Sequence, residues 1–585
     1  MTPSGRGSAL WPGRILCRQL ERLGVEHVFG LPGTGNLTLF EELRRSRIRV
    51  VAPAHELSAT FMANGYYRAS GRPGVVAAVA GPGLAFAVPG LAEARLDSAA
   101  VVCITGTRPG RETVGRRFQE IPQRSLLEPI VKACFRIRTG DEMAEVVARA
   151  WEAAGGGEPG PVLVEIEDDA WSGAAPDRPP EARASKGHAV PAAALVLDRL
   201  KASRRPVLLV GQGAHEGATG LRRMAEELGA PVLASTSGRG ALPEDHPLSF
   251  ALDRLPAGVQ TAQEIVDASD LVVVLGCGLS HNATWGFRLE IPSEKLLRVD
   301  AAMDGRVREG YATSDSIEAD VPALLDALVD LVDERRDSVS EASWNDEHLE
   351  AWRGDQDDGS DGLPDPIFPG DLEPREFFAR LRDALPREAI VVTDSGHHEM
   401  MLRRHFTVLS PRGFLAPSDF QAMGFGVPAS VGAALACPDR PVVAVVGDGG
   451  LRATGMEMAT AARAGASIVV LTLADGHFGL IRRQQLEQFG HSEATRLPHF
   501  ELESFAAAVE AGYRRIDGDP AAAVGSALEE GGVHLLEVRL EDASGVRRQA
   551  LRQRAREGLR EALGPRGITL LERLRGSFRA RDAGE

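Results

Sequence analysis

Short runs rich in valine and isoleucine alternate along this chain with longer stretches whose apolar residues recur every three to four positions. Apolar runs of four to eight residues bounded by glycine read as strands buried on both faces, and the periodic stretches read as helices. Strands that alternate with helices pair in parallel and are covered by helices on both sides. The alternation occurs three times. From about residue 8 to 170 the strands are VEHVFGL, RVVAPA, GVVAAVA, AVVCITG and PVLVEI. From 190 to 335 they are PVLLVGQG, PVLAST and LVVVLGCG, and from 370 to 542 AIVVTDSG, PVVAVVGDGG, SIVVLTLADG and HLLEVRL. The pattern predicts an α/β chain of three doubly wound parallel-sheet domains, 8–170, 190–335 and 370–542. Pro- and Ala-rich residues 171–189 and the acidic, turn-rich stretch 333–370 read as linkers. An arginine-rich tail, 543–585, has a helical pattern and reads as a solvated helix held by its leucines rather than as an anion site.

Composition narrows the class. A chain of 585 residues exceeds one core at roughly 100–200 residues per domain. The formal charge of −16 argues against a general nucleic-acid binder, which is basic. Five scattered cysteines, Cys17, Cys103, Cys134, Cys277 and Cys437, have no metal-knuckle spacing and read as core thiols of a reducing compartment. No run reaches the 18 or so apolar residues of a membrane span, and the first twenty residues lack the apolar core of a signal peptide. The expectation is a cytoplasmic protein with neither nucleic-acid nor membrane partners.

The stretch VVGDGGLRATGMEMATAARAGASIVVLTLADGHFG (445–479) carries the chemistry. A strand ends at Gly447-Asp448-Gly449-Gly450, a helix follows, and a second strand ends at Asp475. Backbone N–H groups at glycines that open a helix can approach phosphate oxygens closely. Mg²⁺ is usually held by one or two carboxylates together with substrate phosphates. Neighbouring strands lie about 4.8 Å apart, so Asp448 and Asp475 can reach one ion. Taken alone, the same four residues serve equally well as a turn with an N-capping aspartate.

The wider pattern resembles the thiamine-diphosphate motif: Gly447-Asp448-Gly449, then Glu457, Thr460-Ala461 and Ala474-Asp475, with Asp475 where that motif ends in Asn and Ala474 departing from it. RVVAPAHELSATFMANGYYRASGRPG, FQEIP (118–122), PGPVLVEI and FQAMGFGVPASVGAALA are similar to segments of the acetolactate synthase family, in the same order over most of residues 20–540. The resemblance implies a pyrimidine-binding N-terminal domain, a central domain and a diphosphate-binding C-terminal domain. It implies that Glu56 holds a proton at the cofactor's pyrimidine N1′ and that Met423 supports its bent form. Mg²⁺ ligands by resemblance are Asp448, Asp475 and the carbonyl of His477. Pro82, Gly396, His397, His398, Gln421, Gly447, Gly449, Gly450, Phe478, Gly479 and Leu480 would also touch the cofactor. Gln119 would lie beside the bound substrate, and Gly33 and Thr34, in Leu-Pro-Gly-Thr-Gly, near the developing oxyanion. Sites between two chains, in a homodimer or homotetramer, follow from the same resemblance.

The family implies a transferase or lyase that decarboxylates a 2-oxo acid such as pyruvate and then forms a carbon–carbon bond. Phe86 stands where the family carries Asn in GPG-x-T-N, which alters the substrate pocket. GCGLSHNATWGF replaces the acidic-Arg segment of members that hold FAD, so FAD is not implied, and the glycine pair in VGQGA is weak support for it. Simple 2-oxo acid decarboxylation and cleavage of a 2-hydroxyacyl-CoA are alternatives on the same cofactor. Thr34 fits the first, whereas Val79 replaces the proton-transferring His of aryl decarboxylases. A non-catalytic scaffolding homologue is the alternative of another class.

Overall fold

A computed structural model describes residues 9–107, 119–177, 189–255, 258–303, 309–311, 313, 315–335, 344–353 and 366–541. The tail expected over 543–585 lies outside the described residues.

Three six-stranded parallel sheets form, one from each repeat of the pattern. In the N-terminal sheet the order across the sheet is Arg49–Val51, His27–Gly30, Gly74–Ala78, Val101–Thr107, Val162–Glu167 and Ala133–Ile137. The central sheet runs Ser249–Ala251, Val232–Ala234, Pro206–Val210, Leu271–Leu275, Leu296–Asp300 and Ser316–Glu318. The C-terminal sheet runs Phe414–Leu415, Ile390–Thr393, Val442–Gly447, Ile468–Ala474, Val533–Arg539 and Gly512–Ile516. Each sheet has helices between its strands, as parallel pairing requires. Every expected strand is present. Six more belong to the sheets and were not foreseen: Ala133–Ile137, Ser249–Ala251, Leu296–Asp300, Ser316–Glu318, Phe414–Leu415 and Gly512–Ile516.

The two expected linkers are partly structured. Ala175–Pro176 pairs antiparallel with Ala9–Leu10, which closes the first repeat on itself. Within 333–370, Trp344 donates from Nε1 to the Pro206 carbonyl at 3.0 Å, and Trp352 is buried among central-sheet residues. Aromatic side chains in a polar stretch signal a docked segment, and here they cover one end of the central sheet.

The N-terminal and C-terminal sheets share one hydrophobic core. Its seam is the crossing of helix Glu56–Ser70 with helix Gly426–Ala436, both buried almost throughout. Gly65 and Gly432 let the backbones touch. A Cβ on Gly65 would lie 2.1 Å from the Ala429 carbonyl oxygen, and one on Gly432 would lie 1.9 Å from that of Met62. The helix that begins at Glu56 is therefore fixed against the elements that follow Met423.

Candidate active site

The paired carboxylates sit where the C-terminal sheet ends. Strands Val442–Gly447 and Ile468–Ala474 pair in parallel with Gly447 opposite Leu473, so Asp448 and Asp475 emerge side by side. Asp448 Oδ2 accepts from Gly476 N at 2.9 Å, and Asp475 Oδ1 from His477 N at 2.8 Å. Burial and the neighbouring Asp475 push the Asp448 carboxyl up to about 6, and burial likewise raises Asp475. Both carboxylates face a cavity of about 250 Å³. Gly396, His397, His398, Met423, Gly447, Gly449, Gly450, His477, Phe478, Gly479 and Leu480 line it too.

The remaining wall comes from the end of strand Ile390–Thr393. Gly396 begins the turn into helix His397–His405. His398 is buried, burial holds its imidazole down to about 3, and its Nε2 has no partner among the described residues. The other ring nitrogen donates to the Asp394 backbone, so in the neutral imidazole Nε2 is an unused acceptor at the cavity wall, suited to a protonated or N–H-bearing group of a ligand. Gln421, expected at the cofactor, is not among the cavity-lining residues; its Nε2 donates to the Pro417 and Ser418 carbonyls at 2.8 Å and to Glu399 at 3.2 Å.

A second group of expected residues gathers at the N-terminal sheet. Glu56 opens helix Glu56–Ser70, whose N-cap His55 accepts from Ser58 N at 3.3 Å. Glu56 is 5% exposed. Helix Pro82–Leu96 starts beside it: a Cβ on Gly83 would lie 2.2 Å from Glu56 Oε1. Only glycine leaves that carboxylate room. Val79 would meet a Cβ on Gly33 at 2.7 Å and on Gly83 at 2.9 Å, so the Gly33-Thr34 turn adjoins Glu56 through one side chain. Gln119, exposed and at φ 60°, has its carbonyl oxygen 1.9 Å from where a Gly81 Cβ would stand. Phe118 lies outside the described residues. Asn36 ties the turn by accepting from Gly33 N at 2.7 Å and donating to the Leu31 carbonyl at 3.0 Å.

Glu56, Gly33, Thr34, Pro82 and Gln119 do not line the cavity of Asp448 and Asp475, so the expected residues fall into two separate groups within one chain. Glu457, fully buried, connects them: its carboxylate accepts from Ala54 N at 3.1 and 3.2 Å, two residues before Glu56, and from Thr460 Oγ1 at 2.8 Å.

Several positioning groups carry no local sequence signal. Asp394, fully buried, accepts from Ser395 N at 2.8 Å, Gly424 N at 2.9 Å and Gly426 N at 3.1 Å, and burial raises it to about 6. Glu399 pairs with Arg403 at 3.3 Å, and Arg403 with Asp253 of the central sheet's connections at 2.7 Å. Their long-range partners, Gly424 and Gly426 for Asp394, Gln421 for Glu399 and Asp253 for Arg403, are far away in sequence, and only a strand-end acid such as Asp394, followed by glycine and histidine, could have been suspected.

The arrangement suits thiamine diphosphate on its own geometry. Glycines line a cavity where a Cβ would strike His398 (at Gly447, 2.9 Å), Phe478 (at Gly449, 3.0 Å) or Asp394 (at Gly450, 2.6 Å). Two desolvated carboxylates face that cavity, and an orphaned imidazole nitrogen belongs to its wall. Three family descriptions match the chain in order: "Thiamine pyrophosphate enzyme, N-terminal TPP binding domain" over residues 11–126, "central domain" over 193–328, and "C-terminal TPP binding domain" over 394–538. The chain is 31% identical over 477 residues to acetolactate synthase isozyme 1 large subunit of Escherichia coli, covering 80% of this chain and 82% of that one. It is 34% identical to acetolactate synthase 1, chloroplastic, of Zea mays (80% and 74%). It is 32% identical to a Pseudomonas aeruginosa protein named probable 2-ketoarginine decarboxylase (82% and 84%). The chain is a thiamine-diphosphate-dependent enzyme of the transferase or lyase class and belongs to the acetolactate-synthase-like family. Among the described residues no helix is long and apolar enough to cross a membrane.

Proposed function

We propose that this enzyme decarboxylates a 2-oxo acid, pyruvate in the leading case, and joins the resulting two-carbon unit to an acceptor. The observation that carries the reading is the meeting of Asp448 and Asp475 at a glycine-lined cavity. Asp448, Asp475 and the His477 carbonyl would hold Mg²⁺. Among the described residues no group of three or more His, Cys, Asp or Glu side chains could by itself hold a metal ion, so the ion would need backbone and phosphate oxygens to complete its octahedron. Gly449, Gly450, Gly396, His397 and His398 would hold the diphosphate, with Phe478, Gly479 and Leu480 along the same wall. When bound, the cofactor would supply a nucleophilic carbon for the 2-oxo group and an electron sink for the pair left when carbon dioxide departs.

This chain's own residues then do five things. Glu56 holds a proton at the pyrimidine nitrogen; its 5% exposure and apolar surroundings strengthen that hydrogen bond. Met423 supports the cofactor from below, and Pro82 closes the pyrimidine end. The Gly33-Thr34 turn faces the place where negative charge develops on the substrate oxygen. Gln119 stands at the edge of the same half-site to orient the substrate.

The two half-sites meet only if a second copy supplies one of them, so we propose a homodimer or a dimer of dimers. Phe86, Met423, Met456 and Ile481 are large apolar side chains exposed on the single chain, which supports a covered face. The expected division into 8–170, 190–335 and 370–542 is proposed with it, and the cytoplasm as its compartment. FAD is not proposed: a Cβ on Gly211 would lie 2.3 Å from the Gly276 carbonyl oxygen, so the VGQGA glycines serve close packing of the chain on itself. A decarboxylase without carboligation is the second reading, favoured by the Pseudomonas relative. Calorimetry with thiamine diphosphate, with and without Mg²⁺, tests the cofactor. A panel of 2-oxo acids, followed by carbon dioxide release and product analysis, separates the two reactions.

A further inference from the structure

We propose that Glu93, on helix Pro82–Leu96, is a positioning residue for Met423: it fixes the peptide on one side of that methionine while Asp394 fixes the other. This rests on the reading of Met423 as the residue beneath the cofactor. Met423 is 45% exposed on the single chain, so side chains of its own chain do not pin it. A long, flexible methionine takes its place from its backbone in that case. The backbone around it is tightly held. Glu93 Oε2 accepts from Ala422 N at 2.8 Å, and Asp394 accepts from Gly424 N at 2.9 Å and Gly426 N at 3.1 Å. Gln421 at φ 59° and Gly424 at φ 92° bend the chain on either side. Non-glycine residues in that region persist only where their surroundings over-determine them.

Packing alone does not account for Glu93. It is 0% exposed and its Oε1 has no partner among the described residues. The nearby cation is committed elsewhere: Arg68 pairs with Asp97 at 3.1 Å and donates to the Ala416 carbonyl at 2.7 Å. Asp97 also accepts from Asn64 Nδ2 at 2.9 Å and Ser418 N at 3.0 Å. Burial and the Asp97 charge hold the Glu93 carboxyl well above the ordinary carboxylate range. Its Oε2 is the acceptor of the Ala422 amide. An apolar side chain there would bury no polar atom, so the acceptor for Ala422 N is what distinguishes the glutamate.

Glu93→Gln keeps a neutral acceptor and Glu93→Leu removes it. Amide hydrogen exchange over residues 418–428 of the cofactor-free protein reads the clamp, and thiamine diphosphate affinity and turnover read its purpose. The expected result is wild-type protection, affinity and turnover in the Gln variant. The Leu variant should lose protection in that segment and lose on the order of tenfold in affinity or turnover. Should the Leu variant fail to fold, Glu93→Asp, which withdraws the acceptor by one methylene, takes its place in the same comparison. Unchanged protection with Leu, or equal losses with Gln and Leu, would overturn the proposal. So would lost protection with unchanged affinity and turnover. A wild-type protein that binds no thiamine diphosphate would instead overturn the functional reading while leaving the exchange result standing.

Discussion

Asp448 and Asp475 lie beside each other at the mouths of two adjacent strands, and both carboxyls are raised by burial, Asp448 also by the charge of Asp475. A divalent cation between them removes both penalties at once. A carboxylate that ligates such an ion would be closer to it than to the diphosphate, so attraction would exceed the added repulsion toward phosphate. Asp475→Asn keeps an oxygen ligand and loses one charge. The variant should bind cofactor and turn over, with a several-fold higher Mg²⁺ concentration at half-activity when thiamine diphosphate is saturating. An unchanged Mg²⁺ requirement would reduce Asp475 to a turn cap. Glu56→Gln should leave Mg²⁺ and diphosphate binding near wild type and slow cofactor C2 proton exchange by roughly a hundredfold or more, as loss of a positioned proton-holding group does; exchange followed by NMR at wild-type rate excludes the role. Residues of this kind were legible because glycine, acid and spacing occur together in a few positions. Glu93 was not legible, and Asp394 only as a strand-end acid, because the amides of Ala422, Gly424 and Gly426 that they hold come near only in the folded chain.

At the scale of elements, legibility follows burial. Interior strands such as Val442–Gly447 are covered on both faces, so their sequence is continuously apolar. Five of the six unforeseen strands are edges of their sheets. Ser316–Glu318 and Gly512–Ile516 are partly open to solvent, and polar residues such as Arg514 and Arg515 break the apolar run. The sixth, Leu296–Asp300, is interior but carries Arg298 at its centre. Helix contacts are the other unreadable element, since Gly65 and Gly432 look like ordinary weak points in helices. Two effects compete when Gly432 becomes Ala. Helix propensity favours alanine by about 1 kcal/mol. The new Cβ must occupy a place 1.9 Å from a backbone oxygen, and overpacking costs roughly 1–3 kcal/mol or more. The clash is with backbone, which cannot swing aside, so Gly432→Ala should destabilise. Gly525 lies in helix Ala521–Glu530 with nothing within 4 Å of its would-be Cβ. Gly525→Ala should stabilise by about 0.5–1 kcal/mol. Thermal unfolding of the pair checks both signs.

Over the whole molecule, the chain separates what the chemistry must join. Glu56 and its neighbours stand at the N-terminal sheet, the carboxylate pair at the C-terminal sheet, and one core and the Glu457 link hold the two apart at a fixed spacing. A rigid spacing that keeps two half-sites from meeting within one chain is productive if two copies pack with opposite halves facing. Exposed Phe86 on the first half and Met423 and Met456 on the second are the apolar surfaces such packing would cover. The arrangement predicts complementation. A Glu56→Gln protein and an Asp448→Ala protein should each be nearly inactive. Unfolded together and refolded, or co-expressed, half of the dimers are mixed. Each mixed dimer has one site carrying both lesions and one site carrying none. Activity should therefore recover to about a quarter of the wild-type value per chain. Sites built within single chains would give no recovery, since every site would keep one lesion. Recovery that fails when the mixed species has been isolated by differential tagging would place Glu56 and Asp448 in the same chain's site.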